Sequence, residues 1–272
     1  MKVIAAINGT ITAESMAFYA LKYAQVQNQV LVLLHVENKK DDLADVELSM
    51  ERISTLAISQ KVQIERVILN GSLRKELKTY LSTIYTDVIF CSTRKHKNFI
   101  VDSFSEALTK MNLNVDIAIV RIVNMNSIMD LNYMILSIKE DKLSVKKFTF
   151  FATLASSYKA DTEIYSVSGI SKWQLSKIDI HEVRDRLSTI NHNLRHYIKL
   201  SHYMPFTLHI KHNFTQNEAN SILSHIAKSN AELVVIGAKR LSVSSFFSKE
   251  IPIEQLMREA TVNTIAYYPK ED

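Results

Sequence analysis

The feature that most constrains this chain is a set of unbroken apolar runs, separated by helix-length amphipathic segments, that restarts midway. Lys2–Ile7 (KVIAAI), Gln29–Val36 (QVLVLLHV), Asp87–Ser92 (DVIFCS) and Asp116–Ile122 (DIAIVRI) are apolar without alternation. Such runs bury both faces of a strand, which is the signature of a parallel sheet covered by helices on each side. Val62–Leu69 alternates in part and completes a first set of strands. Helices are expected from about Ala13 to Gln27, Leu48 to Lys61, 72 to 85 and Ser103 to Met111. Thr10 or Thr12 can cap the first of these, because a side-chain oxygen there satisfies free backbone N–H groups.

Asn124–Asp130 (NMNSIMD) is polar and irregular, and the pattern then begins again. Strands are expected at Asn132–Ile138, Asp161–Val167, Pro205–His212, Glu232–Gly237 and Asn263–Tyr268. Helices are expected at Val145–Lys159, about 179–201, Asn217–Ser229 and Pro252–Glu259. Leu81–Ser92 (LSTIYTDVIFCS) and Ile226–Gly237 (IAKSNAELVVIG) share a helix end, a turn, an acidic residue and an apolar strand. The chain therefore reads as a head-to-tail duplication of one α/β unit: residues 1–124, a linker at 125–131, and residues 132–272. A single large doubly wound sheet is the alternative.

Composition narrows the function classes. Four glycines and three prolines cannot supply the turns of an all-β fold. Split at residue 127, the halves carry 15 basic with 13 acidic and 18 basic with 15 acidic residues. Neither half is a basic domain, so nucleic-acid binding is not expected. The one cysteine, Cys91, closes an apolar run and reads as a buried structural thiol. Without a disulfide framework the chain suits a reducing compartment, and a cytoplasmic location is expected. No apolar run approaches the ~20 residues that span a bilayer, so direct membrane insertion is not expected, and the apolar N-terminus is too short for a signal-peptide core.

These residues resemble the universal stress proteins, from end to end in the first half. That family's first strand is followed by Asp-Gly-Ser; here Ile4–Ile7 is followed by Asn8-Gly9-Thr10. Its second strand ends in His-Val, matched by His35-Val36, and a glycine after its third strand is matched by Gly71. Thr86–Phe90 is similar to its fourth strand. In the second half Ala231–Gly237, Glu254–Arg258 and Thr261–Tyr268 are similar to its fourth strand, final helix and last strand. The resemblance implies an α/β fold of two tandem doubly wound domains. Each would be a five-stranded parallel sheet, order 3-2-1-4-5, with helices on both faces, and the two would pair within the chain.

In such sheets ligands bind at the carboxyl ends of the strands where the order reverses, between strands one and four. Members of the family that bind ATP carry Gly, two residues, Gly, nine residues, Gly-Ser/Thr after strand four, so that backbone N–H groups can approach phosphate closely. The first half has Ser92, Lys95 and Ser105 at those places; the second has Gly237, Arg240 and Glu250. The first-strand acid that contacts nucleotide in the family falls at Asn8 and Lys139. The resemblance thus implies degenerate nucleotide loops. Asn8, Gly9, Thr10 and Val36 form a partial pocket. Arg94, Lys95 and Lys97 form a basic loop beside it that either binds an anion or is merely solvated, and Gly237, Lys239 and Arg240 stand at the equivalent place.

No Gly-x-Ser-x-Gly elbow, P-loop or Gly-x-Gly-x-x-Gly fingerprint occurs. His192 and His196 are four apart on a helix but lack further ligands, and they read as surface histidines. The expected function is a non-catalytic stress-response or regulatory protein that works through a protein partner or a small anionic ligand, with homodimers compatible. No cofactor is certain, and ATP or another adenine nucleotide is the candidate. A nucleotide or cyclic-dinucleotide sensor and a soluble accessory protein of a membrane transporter are the alternatives.

Overall fold

The computed structural model describes the chain except residues 38–40, 94–103, 112, 176, 178, 239–252 and 271–272, with backbone alone at 106, 174 and 175. The first half runs β1 (Lys2–Ala6), α1 (Ile11–Gln27), β2 (Val30–Val36), α2 (Leu43–Ser59), β3 (Ile64–Leu69), α3 (Leu73–Thr83), β4 (Thr86–Thr93), α4 (Phe104–Lys110) and β5 (Asp116–Arg121). A short 3-10 turn at Asn126–Ile128 follows. The second half runs β6 (Tyr133–Lys139), α5 (Val145–Tyr158), β7 (Asp161–Gly169), α6 (Lys172–Leu175), α7 (Ile180–Ser201), β8 (Leu208–Thr215), α8 (Glu218–Lys228), β9 (Leu233–Gly237), α9 (Ile253–Glu259) and β10 (Asn263–Tyr268).

The strands form one ten-stranded sheet in the order β3-β2-β1-β4-β5-β10-β9-β6-β7-β8. Each half has the expected 3-2-1-4-5 order and is parallel throughout. The halves meet through β5 and β10, which run antiparallel with Ile119 opposite Ala266. The expectation of two sheets and its single-sheet alternative are thus reconciled. Two identically wound units share a ladder that neither could complete alone.

Two of the expected elements differ from the sequence reading by three residues or more. Helix α2 begins at Leu43, not Leu48, because Asp42 caps it by accepting from Ala44 N at 2.9 Å. Strand β8 begins at Leu208 and runs to Thr215, because its ladder with β7 continues to the pair Gly169–Thr215.

Helix α1 shows how the halves are held. Its alanines (Ala13, Ala17, Ala20, Ala24) are all fully buried, and small side chains let it lie close to both the sheet and α5. Gln27 Nε2 donates to Thr153 Oγ1 at 2.7 Å, and the Tyr19 and Tyr158 rings meet edge-on at 6.2 Å. Phe150 of α5 stacks on Tyr267 of β10 at 4.1 Å and also touches Phe90 and Tyr23 of the first half. Each large side chain buried here stabilises the junction by about 1.5–3 kcal/mol, so separating the halves is costly. One core cluster, containing residues of α1, α2, α5 and α7, spans both halves on that face.

Candidate functional site

The reversal point of each half lies between its first and fourth strands: β1 and β4 in one, β6 and β9 in the other. Asn8, Gly9 and Thr10 leave the carboxyl end of β1, and Val36 closes the neighbouring β2. The loop is tied by its own groups. Asn8 Oδ1 accepts from Thr10 Oγ1 at 2.7 Å and from Thr10 N at 3.3 Å, while Thr10 Oγ1 caps α1 by accepting from Ala13 N at 3.4 Å. Gly9 takes φ +74°, and a Cβ there would fall 2.9 Å from Asp45 Cβ, so α2 is seated directly over the turn. That conformation and that approach both require glycine. His35 is buried and donates through Nδ1 to Ile7 O at 2.8 Å. Its place in the His-Val motif is therefore structural, joining β2 to the end of β1.

Among the described residues, side chains of the second crevice meet one another. Lys139 ends β6, and its Nζ pairs with Glu218 Oε1 at 2.7 Å, both side chains being mostly buried. Glu218 also lies against Gly169 at the end of β7, where a Cβ would meet its Oε1 at 2.6 Å. The turn after Lys139 takes Glu140 to φ +51°, with Glu140 N donating to Val167 O at 2.9 Å and Ser166 Oγ donating to Glu140 O at 2.6 Å. Asp141 accepts from Asn193 Nδ2 of α7. Over Gly237 lies Lys147, from the first turn of α5: a Cβ on the glycine would fall 2.6 Å from Lys147 Cδ and 3.2 Å from its Nζ. The space on the side a Cβ would take is occupied here by a lysine stem.

An open cavity of about 390 Å³ lies one strand further out, lined by Gly169, Ile170, Ser171 and Gln216–Ala219. The sequence reading placed nothing there, and it missed Lys147 and Glu218. The available signal was that Gly169 and Gly237, two of only four glycines, both fall at strand ends. Of the basic candidates, Arg94, Lys95, Lys97, Lys239 and Arg240 lie outside the described residues. The carboxyl ends of the strands therefore bring together Asn8, Gly9, Thr10 and Val36 in one half, and Gly237 with Lys147 and Lys139 in the other.

Cys91 is buried and burial pushes its thiol well up, which suits a structural side chain. His192 and His196 are both exposed on α7, and no cluster of three potential metal ligands occurs among the described residues. No helix among them is long and apolar enough to cross a membrane.

No protein-family model and no curated protein matches the chain. Solved structures do. A universal stress protein from Archaeoglobus fulgidus is 14% identical with a TM-score of 0.60, the match covering 99% of this chain and 98% of that one. A functionally unknown protein from Pseudomonas aeruginosa is 11% identical with a TM-score of 0.61, covering 99% and 92%. The cytoplasmic domain of a prokaryotic cation chloride cotransporter is 11% identical with a TM-score of 0.62, covering 99% and 95%. Identities this low speak for the fold, and the likeness runs through both halves: the chain has the tandem fold of the universal stress proteins.

Proposed function

We propose that this chain is a non-catalytic regulatory protein of the universal stress type, built of units 1–124 and 132–272 joined by 125–131, that acts through protein contacts in the cytoplasm. The observation that carries this reading is the set of side-chain contacts within the second crevice. Lys147 lies against Gly237 and Glu218 pairs with Lys139, so among the described residues these strand ends present a lysine stem and an ion pair where ATP-binding relatives are expected to keep open glycine backbone. Thermal unfolding with ATP, ADP, AMP and cyclic dinucleotides tests it. A ligand at 100 times its Kd stabilises by about 2.7 kcal/mol. The expected result is an unchanged melting temperature at millimolar nucleotide; a saturable rise overturns the reading.

The first half supports a second reading, a nucleotide or anion sensor. Asn8 uses its Oδ1 within the turn but has no partner for Nδ2 among the described residues, leaving a donor beside Gly9, Thr10 and Val36. The basic loop of Arg94, Lys95 and Lys97 would complete such a site. A nucleotide-induced shift that disappears in Arg94→Ala and Lys95→Ala would establish it. The full-length likeness to a cotransporter's cytoplasmic domain supports a third reading, an accessory protein of a membrane transporter. Failure to co-purify with any transporter from gently solubilised membranes counts against it.

A further inference from the structure

The two halves end in open sheet edges, β3 and β8, and the edges differ. Strand registers align them. Ile4, Val32 and Glu65 share one row and Ile135, Glu163 and His209 another. With Ile4 and Ile135 equivalent, Ile68 of β3 corresponds to His212 of β8. On β8 that position is closed: His212 Nε2 donates to Asn191 Oδ1 of α7 at 3.1 Å, and α7 has 22 residues. On β3 the covering helix α2 has 17 residues, and Ile68 is 38% exposed.

Beside the β3 edge lies a groove of about 270 Å³ lined by Glu47, Met50, Glu51, Arg66 and Ile68. Its floor is apolar. Met50 is buried beneath it, and Arg66 is held to one side by its Nε–H donating to Ser54 Oγ at 2.8 Å. Glu47 and Glu51 stand one helical turn apart on α2 and have no ion pair among the described residues. The ladder to β2 takes Gln63 O and Leu69 O inward. By the parallel pattern, residues between them in the alternate set, Ile64, Arg66 and Ile68, turn their N–H and C=O groups outward. Outward groups of this kind on an edge strand can template another strand.

We propose that the β3 edge and this groove bind an extended segment of a protein partner, which adds as a strand beside β3. The segment carries lysine or arginine and an aliphatic residue on the face toward α2. Main-chain hydrogen bonds to Ile64, Arg66 and Ile68 supply affinity, the aliphatic side chain lies on Ile68 and Met50, and the cation reaches Glu47 and Glu51. A second copy of this chain fits less well: antiparallel pairing of two β3 strands about Arg66 would set the two arginines directly opposite, and like charges there are destabilising. The proposal rests on the reading that the protein acts through protein contacts and says where one such contact forms.

The test uses the full chain and a fluorescent acetyl-Thr-Lys-Thr-Val-Thr-Lys-Thr-amide peptide, about as long as the edge. Anisotropy titration is expected to show saturable binding. Affinity should fall at least about tenfold in Glu47→Lys/Glu51→Lys and in Ile68→Lys, and for a peptide N-methylated at alternate residues. A peptide with glutamate for lysine should not bind. Absence of saturable binding, or binding indifferent to both variants and to N-methylation, overturns the proposal. So does a sedimentation result in which the chain dimerises and Ile68→Lys makes it monomeric, because a second copy is then the occupant. A nucleotide-induced melting shift would instead overturn the parent reading, so the two failures are told apart.

Discussion

Lys147 lies across Gly237, its Cδ only 2.6 Å from where a Cβ on that glycine would sit. The contact makes the glycine necessary for packing, independently of any ligand. Gly237 has no positive φ, so an alanine there meets the lysine stem and no backbone strain. Gly237→Ala should cost about 1 kcal/mol as the stem is displaced. In a Lys147→Ala background the same substitution should cost much less. Denaturant unfolding of the four proteins measures the coupling, and strict additivity would contradict the contact.

Glu163 of β7 is fully buried yet accepts from Tyr133 Oη at 2.9 Å, Lys211 Nζ at 2.5 Å and His225 Nε2, whose ring stacks on Tyr165 at 3.9 Å. The same rows in the first half place Val32 and Val67 at the positions of Glu163 and Lys211. A carboxylate is thus buried where its counterpart is aliphatic. Glu163→Ala should destabilise by about 3 kcal/mol, since it leaves the mostly buried His225 and the Tyr133 hydroxyl without their acceptor, while Lys211, more than half exposed, stays solvated. Replacing Glu163 and Lys211 by valine and His225 by tyrosine together should leave stability nearly unchanged or improve it. Equilibrium unfolding distinguishes the two outcomes.

Asn263 at the start of β10 is fully buried and holds the chain where it enters the linker. Its Oδ1 accepts from Val123 N at 2.7 Å and Asn124 N at 2.9 Å, and its Nδ2 donates to Asn124 O at 2.8 Å and Tyr19 Oη at 3.0 Å. Asn263→Leu leaves these groups unsatisfied and should cost about 2–4 kcal/mol, lowering the melting temperature by roughly 2–4 °C for each kcal/mol. Hydrogen exchange at Val123 and Asn124 should accelerate in the same variant.

His212 gives a pH dependence. Burial lowers its pKa below the ordinary histidine value, and its Nδ1 is buried without a partner among the described residues. The folded state therefore disfavours the imidazolium. This contribution to stability is present above the unfolded pKa of about 6.5 and is lost as pH falls through the folded pKa. Melting temperature should fall on acidification from about pH 7 to pH 5, and His212→Gln should flatten that part of the profile.

Much of the fold was legible because both faces of its central strands are buried. Leu31–Leu34 and Ile265–Tyr268 are unbroken runs of apolar and aromatic residues, so period and length identify their strands. Legibility fell where one side faces water. The first turn of α2 carries exposed Leu43 and Ala44, so no apolar stripe marks it and only the Asp42 cap reveals its start. Edge strand β8 mixes polar and apolar residues, and its length is set by the ladder with β7.

The candidate site divides in the same way. Asn8, Gly9 and Thr10 are contiguous, and their turn is a local property of side chain and backbone, so the sequence by itself located it. It also determined the strand and helix succession, the duplication, and the loss of glycine from the phosphate loops. Only the tertiary structure decided that β5 and β10 join the halves antiparallel, because apolar edges of this kind carry no label for their partner until register and side-chain shape select one. Only the tertiary structure decided which side chains meet in the second crevice, because Lys139, Lys147, Glu218 and Gly237 come from four separate elements. Their charges and volumes compensate one another only once the sheet has brought the elements together.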